Sequence, residues 1–66
     1  MTFYNNIFNL CKKNGISPEM LRKELHLSNS TITAWKRNHL PNVLTCKKIA
    51  ERLNCTIEDL IQNVEK

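Results

Sequence analysis

Ser17-Pro18-Glu19-Met20-Leu21-Arg22-Lys23-Glu24-Leu25-His26-Leu27-Ser28-Asn29-Ser30-Thr31-Ile32-Thr33-Ala34-Trp35-Lys36-Arg37 is the stretch whose reading decides the fold. It opens as a helix start, with serine as N-cap, proline at the first helical position and glutamate near the positive end of the dipole. Leu21 and Leu25 form the inward pair of that helix. It stops near His26, because Leu27 and Ser28 set up another start at once. Ser28 caps the next helix, which runs to about Arg37. At ~100° per residue, Ile32 and Trp35 share one side of it. Ser30, Thr33, Ala34 and Arg37 fall on the opposite side, with Asn29 and Lys36 at the flanks. Two helices joined by about three residues form a helix-turn-helix unit.

Outward from this unit the chain continues in helices. Upstream, Phe3, Ile7, Leu10 and Cys11 recur at helical spacing, and Asn14-Gly15 offers a stop with the chain's one glycine. Downstream, Asn38 can take a left-handed conformation, and His39-Leu40-Pro41 reads as a loop. Asn42 caps a fourth helix with the apolar stripe Val43, Cys46, Ile49, Ala50 and Leu53. Thr56 with Asp59 resembles a capping box and opens a short fifth helix carrying Ile57, Leu60 and Ile61. No strand, repeat or linker is evident. The expectation is an all-α fold, a compact five-helix bundle forming one domain over residues 1–66.

The chain has 66 residues, ten Lys plus Arg against six Asp plus Glu, and a formal charge of +4. Its pI of about 9.2 points to an anionic partner. The charge is unevenly spread: residues 1–53 hold nine basic and three acidic residues, whereas Glu58, Asp59 and Glu65 face only Lys66 after them. Three cysteines, Cys11, Cys46 and Cys55, make an odd set without close pairing, which implies reduced thiols in a cytoplasm. Neither His26 nor His39 stands at ligand-like spacing from them, so no metal is expected. No apolar run approaches the ~18 residues of a membrane span. The first residues run apolar then basic, the reverse of a signal peptide, so the expected location is the cytoplasm.

Enzyme chemistry finds little support. Glu19 and Glu24 are five positions apart and share no helical face neatly. There is no Ser-His-acid order and no glycine loop for phosphate, and so short a chain has little interior for a perturbed site. No cofactor or small-molecule ligand is expected.

The third helix meets the needs of a rod entering a duplex major groove. It must be slim, because that groove is about 12 Å wide, and must offer hydrogen bonds to base edges. Asn29, Ser30 and Thr33 supply those bonds, and Ala34 offers a methyl group to a thymine methyl. Arg37 can reach a guanine or a phosphate, and Lys36 suits a phosphate. Free N–H groups at helix starts near Ser17 and Ser28 can hold phosphates. Arg22, read as pointing outward, is a further phosphate candidate.

The stretch from Cys11 to Ile61 resembles the Cro/C1-type (XRE-like) helix-turn-helix domain of phage repressors and small bacterial regulators. The likeness runs through Leu10 to Ser17, Leu21, Glu24-Leu25, Leu27 to Lys36, and Ile49 to Ile61. It implies a lambda-repressor-like bundle that binds double-stranded DNA, with Asn29, Ser30, Thr33 and Ala34 touching bases. It places phosphate contacts at Ser17, Lys36, Arg37 and the loop from Asn38 to Asn42. It implies a homodimer joined near Ile57 and Asp59, acting as a repressor in a bacterium or phage-infected cell. Three positions depart from the relatives: Pro18 where glutamine is frequent, His26 in place of glycine, and Arg22 in place of alanine. A rival expectation is a protein-interaction module on the same fold, such as an antitoxin or antirepressor.

Overall fold

Local chemistry fences each helix. A computed structural model describes residues 2–62. It contains α1 (Phe3–Lys13), α2 (Pro18–Glu24), α3 (Thr31–Lys36), α4 (Val43–Arg52) and α5 (Ile57–Ile61). Thr2, Ser17, Asn42 and Thr56 stand in extended backbone, and their side-chain oxygens accept from the N–H groups of Asn5, Met20, Thr45 and Asp59. Each bond satisfies an N–H that the first helical turn leaves open. At Thr56 the contact is reciprocal, since the Asp59 carboxylate accepts from the Thr56 N–H at 3.1 Å. The capping box therefore forms with aspartate in the usual glutamate position.

The stops share one geometry. Gly15, His26, Asn38 and Asn54 follow α1 to α4 with φ of 72°, 56°, 64° and 54°. Behind each, two backbone bonds close the helix: Gly15 N–H to Lys12 and Ile16 N–H to Cys11 after α1, and His26 N–H to Lys23 and Leu27 N–H to Arg22 after α2. Asn38 and His39 do the same after α3, as do Asn54 and Cys55 after α4. These are Schellman closures, which satisfy the last carbonyls. In three of them the residue beyond the stop, Ile16, Leu27 or Cys55, packs against the core. Asparagine and histidine tolerate the left-handed region better than most residues, so the missing glycine at His26 is absorbed.

The closed helices present their apolar stripes to one another. Phe3, Ile7 and Cys11 of α1 meet Leu21, Trp35, Cys46, Ile49, Ala50, Leu53 and Leu60 in one core. Phe3 and Trp35 pack edge to face, with ring centroids 5.8 Å apart. Three asparagines fasten the elements. Asn6 Nδ2 donates to the carbonyls of Leu60 (2.9 Å) and Gln62 (2.7 Å), and Asn14 Nδ2 to those of Leu10 (2.8 Å) and Leu53 (3.2 Å). The Asn38 Oδ1 accepts from the Phe3 N–H at 2.9 Å. Among the described residues, every buried side-chain nitrogen and oxygen has a partner.

Two sequence expectations are corrected here. Regular helix begins at Thr31 rather than Ser28, with Ser30 in the capping position. Residues 28–30 make a tight turn closed by Thr31 N–H on the Ser28 carbonyl at 3.1 Å. The Ser28 hydroxyl is shared with those of Ser30 (3.2 Å) and Thr31 (3.1 Å), so it caps no helical N–H. Val43 also leaves the expected stripe. It is the first residue of α4 and is 77% exposed, so the stripe begins at Cys46.

Arg52 clasps Glu24 with two bonds, Nε–Oε1 at 2.6 Å and Nη2–Oε2 at 3.2 Å, joining α4 to α2. Hydrogen bonding from Arg52 holds the Glu24 carboxyl below its ordinary value of 4.5, and Arg22 does the same for Glu19. A carboxylate whose folded value is depressed stabilises the fold above its unfolded value and loses that contribution as pH falls through the folded value. We therefore expect the urea midpoint to be flat from neutral pH down to about 5 and to fall below about 4. The fall should shrink in the Glu19→Gln/Glu24→Gln double variant. An undiminished acid fall in that variant would assign it elsewhere.

Candidate nucleic-acid interface

The helix-turn-helix consists of α2, the turn through His26, and α3. Trp35 is 1% exposed and anchors the inner side of α3, while Ile32 packs partly buried beside the core. That anchoring fixes the opposite side outward. Asn29, Ser30, Thr33, Lys36 and Arg37 are all exposed, and Ala34 is half-buried between them and the α3–α4 loop. Thr33, Lys36 and Arg37 recur at helical spacing on one side, and the turn before the helix adds exposed Asn29 and Ser30 at its head.

The head of this face is rich in hydroxyls. Ser30 makes no cap bond with its side chain. It shares the Ser28 hydroxyl with Thr31, and each of these oxygens keeps acceptor capacity for an outside donor. The tail is cationic, with Lys36 and Arg37 exposed together. From Leu25 to Ala50 the chain contains no Asp or Glu, so nothing of opposite charge on this stretch opposes an anion.

Beside α3 lies a cleft of about 310 Å³ between that helix and the loop leading into α4. Ser28, Ser30, Ala34, His39, Asn42 and Thr45 are among the residues that line it. The expected base and phosphate candidates Ser28, Ser30, Ala34 and Asn42 are thus brought to one groove. Asn42 is exposed, with its Oδ1 on the Thr45 N–H at 2.8 Å. Its Nδ2 is the part of the amide directed to other partners. Ser17 is exposed at the start of α2, with its hydroxyl accepting from Met20 at 3.1 Å.

Other candidates sit differently. Arg22 does not point outward: the residue is 8% exposed. Its Nε donates to Glu19 Oε1 at 3.0 Å, Nη2 reaches the same oxygen, and Nη1 donates to the Leu27 carbonyl at 3.0 Å. Buried and with each of its three nitrogens engaged inside the turn, it is withdrawn from the phosphate set. Asn38 is half-buried, and its amide oxygen is engaged by Phe3. Ile57 packs partly buried against the core, and Asp59 is held in the capping box.

Sequence reading did not single out Thr45 or Tyr4, whereas His39 falls within the loop of residues 38–42 named above. His39 and Thr45 line the cleft, and the Tyr4 ring lies 5.2 Å from the Lys36 ammonium. Helical periodicity gives no signal for Thr45 or Tyr4, because both roles arise from contacts between elements.

The thiols offer no nucleophile. Burial pushes Cys11 up to about 11, and burial raises Cys46 and Cys55 as well. All three stay protonated at neutral pH, the inert form of the group. Among the described residues, no cluster of three His, Cys, Asp or Glu side chains could hold a metal ion. No helix there is long and apolar enough to cross a membrane.

What remains is an exposed, acid-free helix face mounted on a fixed turn. Comparison with curated proteins and with solved structures gives no match. Comparison with protein families does: the helix-turn-helix model matches residues 7–60, which takes in α2, the turn and α3 whole. With the five-helix bundle and the turn geometry described above, that match makes the chain a member of the Cro/C1-type (XRE-like) helix-turn-helix family of DNA-binding domains.

Proposed function

We propose that this chain is a sequence-specific regulator of transcription that places α3 and its leading turn in the major groove of double-stranded DNA. The observation that carries this reading is the outward row Asn29, Ser30, Thr33 and Arg37, exposed because Trp35 holds the other side of the helix in the core. In this reading Asn29, Ser30, Thr33, Ala34 and Arg37 meet base edges. Ser17, Ser28, Lys36, Asn38 and Asn42 position the backbone, and the cleft beside α3 receives one phosphate strand. The chain acts as a homodimer and a repressor of phage or mobile-element type, blocking polymerase by occupancy. Half-sites then lie about 34 Å apart, one helical turn. Ile57 and Asp59, with the exposed Ile61 one turn beyond Ile57, are the proposed dimer contact.

In vitro selection from randomised duplexes tests the reading. We expect one enriched motif with two related half-sites. Recovery of no motif at low salt counts against it. On the selected duplex, Ser30→Ala and Thr33→Ala should change base preference, at about 1–3 kcal/mol for a strong contact. Arg37→Ala should likewise relax base preference, whereas Lys36→Ala should weaken binding to all sequences and lower the salt slope by about 1. Unchanged preference in both hydroxyl variants would move base reading to another element.

A second reading has its own support. Leu40, Val43 and Leu44 are 51%, 77% and 64% exposed and close together in sequence at the edge of the cleft. Exposed apolar side chains in one place suit a protein partner, as in an antitoxin or antirepressor. Retention of a host protein after nuclease treatment, with no retention of DNA, favours this alternative.

A further inference from the structure

We propose that Tyr4 is a positioning residue for DNA binding, its ring holding the Lys36 ammonium at the tail of α3 where a phosphate strand passes. The inference rests on the DNA reading above and adds a residue far from the helix-turn-helix in sequence. The Lys36 Nζ lies 5.2 Å from the centre of the Tyr4 ring, within the range of a cation–π contact. Tyr4 is half-buried, and Phe8 packs against it at 6.3 Å with a 34° tilt, so the ring is supported from within α1. Lys36 itself is exposed, and among the described residues no carboxylate lies within ion-pair distance of it.

The contact stands beside others between the first turn of α1 and the end of α3. Phe3 packs its ring edge to face with Trp35, and its N–H donates to Asn38 Oδ1 at 2.9 Å. Residues 35, 36 and 38 are therefore gripped by residues 3 and 4. Trp35 and Asn38 fix the backbone of the helix end, and Tyr4 fixes the long side chain that projects from it. A lysine in solution loses considerable rotamer freedom on meeting a phosphate, and a ring that already restricts the stem removes part of that cost. The ring takes one side of the ammonium, which has three N–H donors, and leaves donors for the phosphate.

The test compares Tyr4→Leu, Tyr4→Phe, Lys36→Met and the Tyr4→Leu/Lys36→Met pair on the selected duplex, by anisotropy across a salt series. We expect Tyr4→Leu to weaken binding about two- to fivefold, the size of an exposed cation–π contact. Tyr4→Phe, which keeps the ring, should restore affinity, and Tyr4→Leu should add nothing once Lys36 is methionine. In the free protein, the Lys36 ε-methylene protons should be shifted upfield by the ring, with the shift lost in Tyr4→Leu and kept in Tyr4→Phe. A thermal melt of each variant separates lost fold from lost contact. Equal Tyr4→Leu losses with and without Lys36 overturn the proposal, as does full affinity in Tyr4→Leu where Lys36→Met is weakened. Full affinity in Lys36→Met overturns it as well. A wild-type chain that enriches no duplex brings down the DNA reading and the proposed role together. An upfield shift in that case confines Tyr4 to a structural contact.

Discussion

Trp35→Ala is expected to leave the chain largely unfolded at room temperature. Trp35 is 1% exposed and the largest fully buried side chain. Truncating a buried Trp to Ala costs about 3–5 kcal/mol through lost transfer energy and the cavity left behind. A single core of this size rarely supplies more than about 3–5 kcal/mol in total. The loss therefore equals most or all of the stability available. The defect is also badly placed, because the cavity opens against Phe3, whose ring packs on the missing one. With that contact gone, the N–H bond from Phe3 to Asn38 loses its packing support, and the end of α3 comes away from α1. Trp35→Phe keeps an aromatic surface for Phe3 and should remain folded at reduced stability. The chain has one tryptophan, so far-UV circular dichroism with urea titration is the suitable measurement. A cooperative Trp35→Ala transition with a urea midpoint close to the wild-type value would contradict the assignment of Trp35 as the anchor of α3.

The contrast between Trp35 and Arg22 indicates which parts of this molecule are legible in its sequence. Trp35 was readable because one periodicity settles its direction: Ile32 lies three residues before it, and hydroxyl-bearing residues occupy the other side. The same holds for the caps, where Ser17, Asn42 and Thr56 act within four residues of themselves. It holds for the stops at Gly15, Asn38 and Asn54, where residue type alone favours positive φ. The outward row of α3 follows from both. What was not legible depends on where one element sits against another. Arg22 falls beside Leu21 on α2, and a charged side chain there reads as solvent-facing. Only the fold reveals a carbonyl at Leu27 placed to receive it. Ser28 misled for a related reason. Its type suits a cap, but neighbouring hydroxyls at Ser30 and Thr31 compete for the same oxygen, and the helix starts two residues later. Val43 failed because a stripe's first member extends beyond the partner that covers the rest. Tyr4 and Lys36 carry no joint signal, being 32 positions apart and meeting only through the packing of α1 on α3.

Arg22→Ala is expected to cost about 2–3 kcal/mol, the range of a hydrogen bond to a charged group plus burial of the stem. The residue grips Leu27 twice. Its own carbonyl accepts from the Leu27 N–H at 3.0 Å, and its Nη1 donates to the Leu27 carbonyl at 3.0 Å. The turn between α2 and α3 is thereby closed through both backbone groups of one residue. Removing the guanidinium leaves that carbonyl without its charged donor in a turn whose backbone is already left-handed at His26. Glu19 matters less. Its side chain is 54% exposed, so water replaces Arg22 at little cost, and Glu19→Gln should cost much less than Arg22→Ala. Arg22→Lys should recover only part of the loss, since one ammonium cannot serve both Glu19 and the Leu27 carbonyl in the geometry of a planar fork. The consequence for function is sharper than for stability. A looser turn lets α3 vary its angle to α2, which erodes contacts that need fixed register while sparing those that need only charge. We therefore expect Arg22→Ala to reduce affinity for the selected duplex more than for a scrambled one, at a temperature where both proteins are folded. Urea titration and anisotropy on the two duplexes measure this. Glu19→Gln matching Arg22→Ala in cost, or equal affinity losses on both duplexes, would show that the ion pair and not the latch on Leu27 holds the turn.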